Sequence, residues 1–177
     1  GYAKRPEKNI KDCLMIARRT KNMLAVVGGK NKWYRRRPWV RYKGIIGGQE
    51  KMAVLRRSKA LLFPVLWHEP FGIAIIEALY FGAPVIGSPF GSLTELIPKE
   101  VGCTTRSLSI MIDAVKNIEQ FNRRKCHDYI CDQFTSKQMT QNYIKLYEKV
   151  LAKEPLNETA PINGGNFSPE TLLDLTP

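Results

Sequence analysis

The sequence predicts an α/β domain, a Rossmann-like open parallel sheet with helices on both faces. Three observations carry this reading. Short continuous apolar runs recur along the chain, amphipathic stretches with a helical period separate them, and glycine or proline punctuates their ends. At 177 residues and 20.2 kDa, with 44% hydrophobic residues, the chain has material for one domain with a substantial core.

The elements follow in order. Ile10, Cys13, Leu14 and Ala17 give a helical period over Asn9 to Arg19, with Asn9 as a cap. "LAVVGG" reads as a strand and its exit turn. Tyr42 to Ile46 is a second strand leading into Gly47-Gly48, and Gln49 to Ser58 is a helix with Met52 and Leu55 inward. "ALLFP" is a third strand, stopped by Pro64. A helix from about Gly72 to Tyr80 and a fourth strand, "PVIG", come next. After a turn at Pro89 to Gly91, a short helix spans Leu93 to Ile97, and "VGCTT" is a fifth, marginal strand. Helices are expected over Ser109 to Ile118, Arg123 to Tyr129 and Ser136 to Leu151, the last carrying Met139, Tyr143, Leu146, Tyr147 and Val150 at helical spacing. The domain is therefore placed at residues 1–153. Residues 154–177, rich in Pro, Asn, Gly and Thr, are expected to form a poorly ordered or surface-packed tail.

Composition narrows the function classes. Cys13, Cys103, Cys126 and Cys131 have neither the density of a disulfide scaffold nor the paired spacing of a zinc site, so they read as thiols in a reducing compartment. No run reaches eighteen apolar residues and no stretch resembles a signal peptide. The net charge of +12 is concentrated. Residues 1–50 hold fourteen Lys or Arg against Glu7, Asp12 and Glu50, and the remainder is nearly balanced. Such a basic segment suits an anionic ligand, a nucleic acid or an acidic membrane surface.

The stretch "HEPFGIAIIEAL" places two glutamates eight positions apart beside a run fit for a core. In an open parallel sheet, ligands sit beyond the carboxyl ends of strands. The "LLFP" strand puts Glu69 in such a loop, and Glu77 about a turn into the helix that follows. Amides at that helix start point toward an anion, and Gly72 lets it approach. Glutamates in loops and on helices ordinarily face water. Glu77 departs from this because Ile73, Ala74, Tyr80 and Phe81 lie three and four positions away, so a bound molecule's hydroxyls are expected to satisfy one of the carboxylates.

"FPVLWHEPFGIAIIEALYFGAPVIGSPFGSLTEL" resembles the donor-binding signature of the retaining, two-Rossmann-domain (GT-B) glycosyltransferases of family 4. Glu69 and Glu77 have that family's E-x7-E spacing. Gly82 to Ile86 matches its next strand, Glu95 a later glutamate, "PEKN" its phosphate-contacting lysine element, and "LAVVGG" its glycine-ended strand near the base. The likeness runs coarsely from residue 4 to about 151.

The resemblance implies one half of a GT-B enzyme, the donor-binding half of a glycosyltransferase. It implies Glu69 and Lys8 as the catalytic pair, Glu69 beside the transferred sugar and Lys8 against the diphosphate. It implies Glu77 on the ribose hydroxyls, Phe71, Gly72 and Ile73 offering amides, and Gly28 near the base. The donor would be a UDP-, GDP- or ADP-sugar and the acceptor a hydroxyl, in glycan or cell-envelope polysaccharide synthesis, with no metal and no further cofactor. The family's preceding acceptor-binding domain has no counterpart in these residues, so the chain alone is expected to turn over no acceptor.

Two positions depart from the pattern. Ala3 stands where the family has an arginine, with Lys4 and Arg5 nearby but out of register. Phe90-Gly91 replaces a glycine pair, putting a ring where a small residue is common.

"GGKNKWYRRRPW" is the other unusual segment. Within the resemblance, Lys30 approaches the nucleotide, while Arg35, Arg36 and Arg37 meet an anionic acceptor or a membrane surface, consistent with a cytoplasmic protein peripheral at the membrane face. The rival reading is a non-catalytic nucleotide- or nucleic-acid-binding domain using the basic 30–41 patch, but no nucleic-acid reading module accompanies it. His68 beside Glu69 is not required by a retaining transfer, and Trp67 is expected to shape the loop.

Overall fold

The computed structural model describes residues 5–29, 36–157, 159, 173, 175 and 176. Among the described residues there are five strands: β1 (Leu24–Val27), β2 (Val40–Gly44), β3 (Leu61–Phe63), β4 (Val85–Gly87) and β5 (Gly102–Thr104). The pairings among these strands are parallel, with β1 beside β2 and the order β3-β4-β5. Among the described residues no ladder joins β1 to β3, so the strands form a pair and a triplet. The helices are α1 (Ile10–Arg19), α2 (Gly48–Arg57), α3 (Ile73–Tyr80), α4 (Leu93–Leu96), α5 (Leu108–Lys116), α6 (Arg123–Gln133) and α7 (Ser136–Leu151). Short 3₁₀ turns lie at Pro6–Lys8 and Ile118–Gln120.

The packing follows from strand geometry, in which successive side chains point to opposite faces. Val85 packs with Ile75, Leu79, Leu93, Cys126 and Ile130, whereas its neighbour Ile86 packs with Ile16, Met111, Ile112 and Ile118. The triplet is thus covered by α3 and α6 on one face and by α1 and α5 on the other. Continuous burial of Val85, Ile86 and Gly87 is what a two-sided parallel sheet requires. A smaller cluster of Leu14, Val26 and Val40 joins α1 to β1 and β2. Each fully buried Val, Leu or Ile contributes about 1.5–3 kcal/mol.

The structure corrects the expected elements in several places, the first on α2, where Met52 is 43% exposed rather than inward while Leu55 packs against the core. Strand β2 starts two residues early, at Val40. Val40 is buried opposite Leu24, whereas Ile45 is 73% exposed, and Gly44 at φ +70° has already turned the chain outward. Helix α6 continues four residues past Tyr129, because Ile130 joins the core and Phe134 closes the last turn. Helix α7 forms over the expected span, but none of its residues is buried; Met139, Tyr143, Leu146, Tyr147 and Val150 all face outward.

Two devices fix the elements around the site. The Arg123 guanidinium donates to the carbonyls of Arg56, Ser58 and Phe81, capping the ends of α2 and α3 together. Leu66, in the loop after β3, is held on both sides. Its amide donates to the Glu7 carbonyl at 2.8 Å, and its carbonyl accepts from the Leu173 amide at 2.9 Å. Near Leu173, Leu175 packs on the α5 cluster, and Thr176 bridges Arg106 and Leu108 through its backbone.

The four cysteines are free thiols in different surroundings. Burial, reinforced by the Asp12 charge, pushes the Cys13 thiol up to about 12. Burial also raises Cys126 and Cys103, whereas Cys131 is exposed beside His127. Alkylation at neutral pH, followed by mass spectrometry, should modify Cys131 first and Cys13 only after unfolding. Labelling of Cys13 at the Cys131 rate in the folded protein would contradict this packing. Because the folded thiol of Cys13 ionises later than the unfolded one, its contribution to stability is complete below about pH 9 and lost as pH rises toward about 12.

Candidate functional site

The loop from Val65 to Phe71 leaves the carboxyl end of β3, and Pro64 sets its start. Buried Ser88 donates from Oγ to the Val65 carbonyl at 2.7 Å, tying the loop to the end of β4. Further along, Ser92 donates its backbone amide and its hydroxyl to the Glu69 carbonyl, at 2.9 and 3.0 Å. The same hydroxyl lies 3.0 Å from the Phe71 carbonyl. A parallel bridge joins Glu69 to Gly91. Two loops, one after β3 and one after β4, therefore form a single rim.

Lys8 and Glu69 meet on this rim. The turn Pro6–Lys8 brings the Lys8 ammonium 2.9 Å from Glu69 Oε2, with side-chain exposures of 23% and 12%. The Trp67 indole N–H donates to the same oxygen at 3.1 Å, and the ammonium lies over the Trp67 ring at 4.6 Å. Trp67 therefore orients the carboxylate and supports the cation, beyond shaping the loop. Partial removal from water strengthens this ion pair relative to a surface one.

Gly72 caps α3 at φ +89° and ψ +60°, a left-handed conformation in which an added Cβ would lie 2.7 Å from Ile75 Cδ1. Among the described residues, the amides of Phe71, Gly72 and Ile73 donate to no acceptor within the chain. They form an open helix start about two residues from the Lys8–Glu69 pair. Gly28 ends β1 at φ +96° and donates to the Gly44 carbonyl at 2.6 Å, so the exits of β1 and β2 are joined. The Gly29 carbonyl accepts from the Tyr42 hydroxyl.

Glu77 stands differently from the expectation. Its face of α3 is shared by Ile73 and Tyr80, and both are exposed, because the helix buries Ile75, Ala78 and Leu79 instead. Neither glutamate lacks a partner within the chain. Glu69 has Lys8, and Glu77 Oε1 has the Lys51 ammonium at 2.6 Å. Lys51 is a residue the sequence does not reveal. It lies 26 positions from Glu77 on another helix, and nothing local marks it.

The other named positions fall as follows. Phe90 turns inward and is 2% exposed, with His68 edge-on to its ring and the Arg106 guanidinium over it, so the ring underpins the rim without obstructing it. The His68 ring nitrogen Nδ1 accepts from the Gly91 amide at 3.2 Å, a structural contact. Glu95 is exposed on α4, and its charge adds to burial in raising the Tyr129 hydroxyl. Arg37 is half-buried with its guanidinium over Trp39, and Arg36 is exposed. Ala3, Lys4, Lys30 and Arg35 lie outside the described residues. No group of three or more His, Cys, Asp or Glu side chains able to hold a metal occurs among the described residues, and no helix there is long and apolar enough to cross a membrane. Two hollows, against α2 at Gln49, Met52, Ala53, Arg56 and Arg57 and against α6 at Arg123, Arg124 and His127, include neither glutamate.

The chain is similar to known proteins in sequence and in fold. An uncharacterized 41.2 kDa protein in the cps region of Klebsiella pneumoniae is 29% identical over 117 residues, 60% of this chain and 32% of that protein. The N-acetyl-alpha-D-glucosaminyl L-malate synthase of Bacillus anthracis is 28% identical over 116 residues, 60% of this chain and 30% of that protein. The chain thus spans about a third of the length of these curated relatives. In fold it is similar to AviGT4, a glycosyltransferase involved in avilamycin A biosynthesis, with a TM-score of 0.73 at 20% identity over 84% of this chain and 49% of that one. It is similar also to Anabaena HepE in complex with UDP, with a TM-score of 0.64 at 14% identity over 82% of this chain and 46% of that one. The family model described as glycosyl transferases group 1 matches residues 3–124, a span that holds Lys8, the rim, Glu69 and Glu77, and the chain belongs to that family.

Proposed function

We propose that the chain is the donor-binding half of a retaining glycosyltransferase that moves a sugar from a nucleoside-diphosphate sugar to a hydroxyl acceptor. The observation that carries this is the Lys8–Glu69 pair set beside the unpaired amides of Phe71, Gly72 and Ile73, with Glu77 on the same helix. As the glycosidic bond breaks, negative charge grows on the leaving diphosphate. A cation and a helix start at that place stabilise it. Glu69 faces the sugar, and Glu77 accepts from the ribose hydroxyls. Gly28, at the exit of β1, leaves room for the base. The UDP in the HepE complex supports a nucleotide donor, and the relative in a cps region supports a role in polysaccharide synthesis.

In this reading the acceptor-binding domain is the partner that completes the cleft. The outward apolar residues of α7, among them Tyr143, Tyr147 and Val150, support a further packing surface, and the relatives are about three times as long as the matched span. Sugar transfer requires both halves to close over donor and acceptor. The exposed Arg36 faces an anionic acceptor or the cytoplasmic face of a membrane.

Titrating UDP, GDP and ADP and their sugar forms into the protein joined to its complementary domain tests the proposal. One nucleotide should bind. Glu77→Ala should weaken it about tenfold or more even without the sugar, the worth of one or two hydroxyl contacts to a charged acceptor. Glu69→Ala should act mainly on the sugar-bearing form. Absence of binding by all three nucleotides in a folded sample would end the proposal.

A further inference from the structure

We infer that Lys51 is a positioning residue for the donor's ribose, acting through Glu77. The inference rests on the reading of Glu77 as the ribose carboxylate and deepens it. Helix α2 starts at Gly48, beyond the carboxyl end of β2, as α3 starts beyond the carboxyl end of β3. Lys51 lies in the first turn of α2, and its ammonium reaches Glu77 Oε1 at 2.6 Å.

Two physical effects follow from this contact. A half-exposed glutamate on a helix face samples several rotamers. A single strong contact at Oε1 selects one and leaves Oε2, which has no partner among the described residues, to accept from hydroxyls. The second effect is electrostatic. A carboxylate near an incoming diphosphate repels it, and a neighbouring ammonium offsets that repulsion while leaving the acceptor intact. The contact has little other work to do. Helix α2 buries no residue, and its far end is already held to α3 by Arg123 through the carbonyls of Arg56 and Phe81.

The experiment compares the nucleoside diphosphate that binds best among UDP, GDP and ADP with its 2′-deoxy form, by calorimetric titration of the complete protein. Wild type should prefer the ribose form by on the order of tenfold, the worth of one hydroxyl bonded to a charged acceptor. Lys51→Met should reduce that preference severalfold toward unity, chiefly by weakening the ribose form, and Lys51→Arg should restore most of it. An unchanged melting temperature in Lys51→Met separates this outcome from unfolding. If Glu77→Ala abolishes the preference while Lys51→Met keeps it, the positioning role is overturned and the nucleotide reading stands. Equal weakening of both forms by Lys51→Met overturns it too, since the ammonium would then be acting on the diphosphate. If Glu77→Ala changes neither affinity, the ribose assignment itself fails, and the role of Lys51 fails with it.

Discussion

Gly91→Ala should separate the two loops of the rim and cost the protein both stability and donor affinity. Gly91 sits at φ +65°, where an alanine is strained, and its Cβ would lie 2.4 Å from the Glu69 carbonyl oxygen and 2.6 Å from the Glu69 nitrogen. Both obstacles are backbone atoms, so no side chain can swing aside. Relief requires the loops to part. That movement breaks the Glu69–Gly91 bridge and the Ser92 bonds to the Glu69 carbonyl. The expected cost is about 2–4 kcal/mol. Gly47→Ala is the matched control, because that position is extended and its Cβ meets nothing within 4 Å. Thermal melts with nucleotide titrations should show a large fall in both quantities for Gly91→Ala and almost none for Gly47→Ala. Wild-type behaviour of Gly91→Ala would mean that the rim is not held as described.

Lys8→Met should act on turnover more than on folding. Removing the ammonium leaves Glu69 with the Trp67 N–H as its remaining side-chain donor, at a stability cost of about 1–2 kcal/mol for a partly exposed pair. Under the proposed mechanism the larger loss appears as the diphosphate leaves. A positioned charge of this kind is worth about 10²–10³ in kcat. Steady-state transfer by the complete enzyme should therefore show a depressed kcat with a smaller change in KM for the donor. Lys8→Arg should retain part of the activity, since the charge stays while its placement over Trp67 changes. A change confined to KM would move Lys8 from the leaving group to ground-state binding.

Much of the fold was legible because its signals are local. Pro64, Gly72 and Gly82 bracket β3, α3 and β4, and the short continuous apolar runs of β3 and β4 fit strands of a parallel sheet covered on both faces. The strand β2 slipped because Ile45 and Ile46 look like better strand residues than Arg41 and Lys43. The register was decided by Val40 meeting Leu24, a contact between segments sixteen residues apart. The proline that ends β3 marks Glu69 as a loop residue. The surroundings of Glu77 are not legible in the sequence, because apolar neighbours at helical spacing share its face whether that face is buried or exposed. Lys51, Ser88 and Ser92 act through partners between 21 and 26 positions away, and no periodicity or spacing announces such pairings. The direction of the Phe90 ring was equally unreadable, since residue size says nothing about which side of a turn a ring takes.

The double attachment of Leu66 has a mechanical meaning. The loop bearing Glu69 behaves as a beam propped from above and below, with one prop supplied by the backbone at Glu7 and the other by the backbone at Leu173. Lys8 is the very next residue after the first prop. Any displacement of that prop therefore shifts the cation and the carboxylate it faces in a correlated way, so the pair moves as a unit. The second prop comes from a segment more than a hundred residues away, which makes the stiffness of the loop a property of the whole domain's tertiary closure.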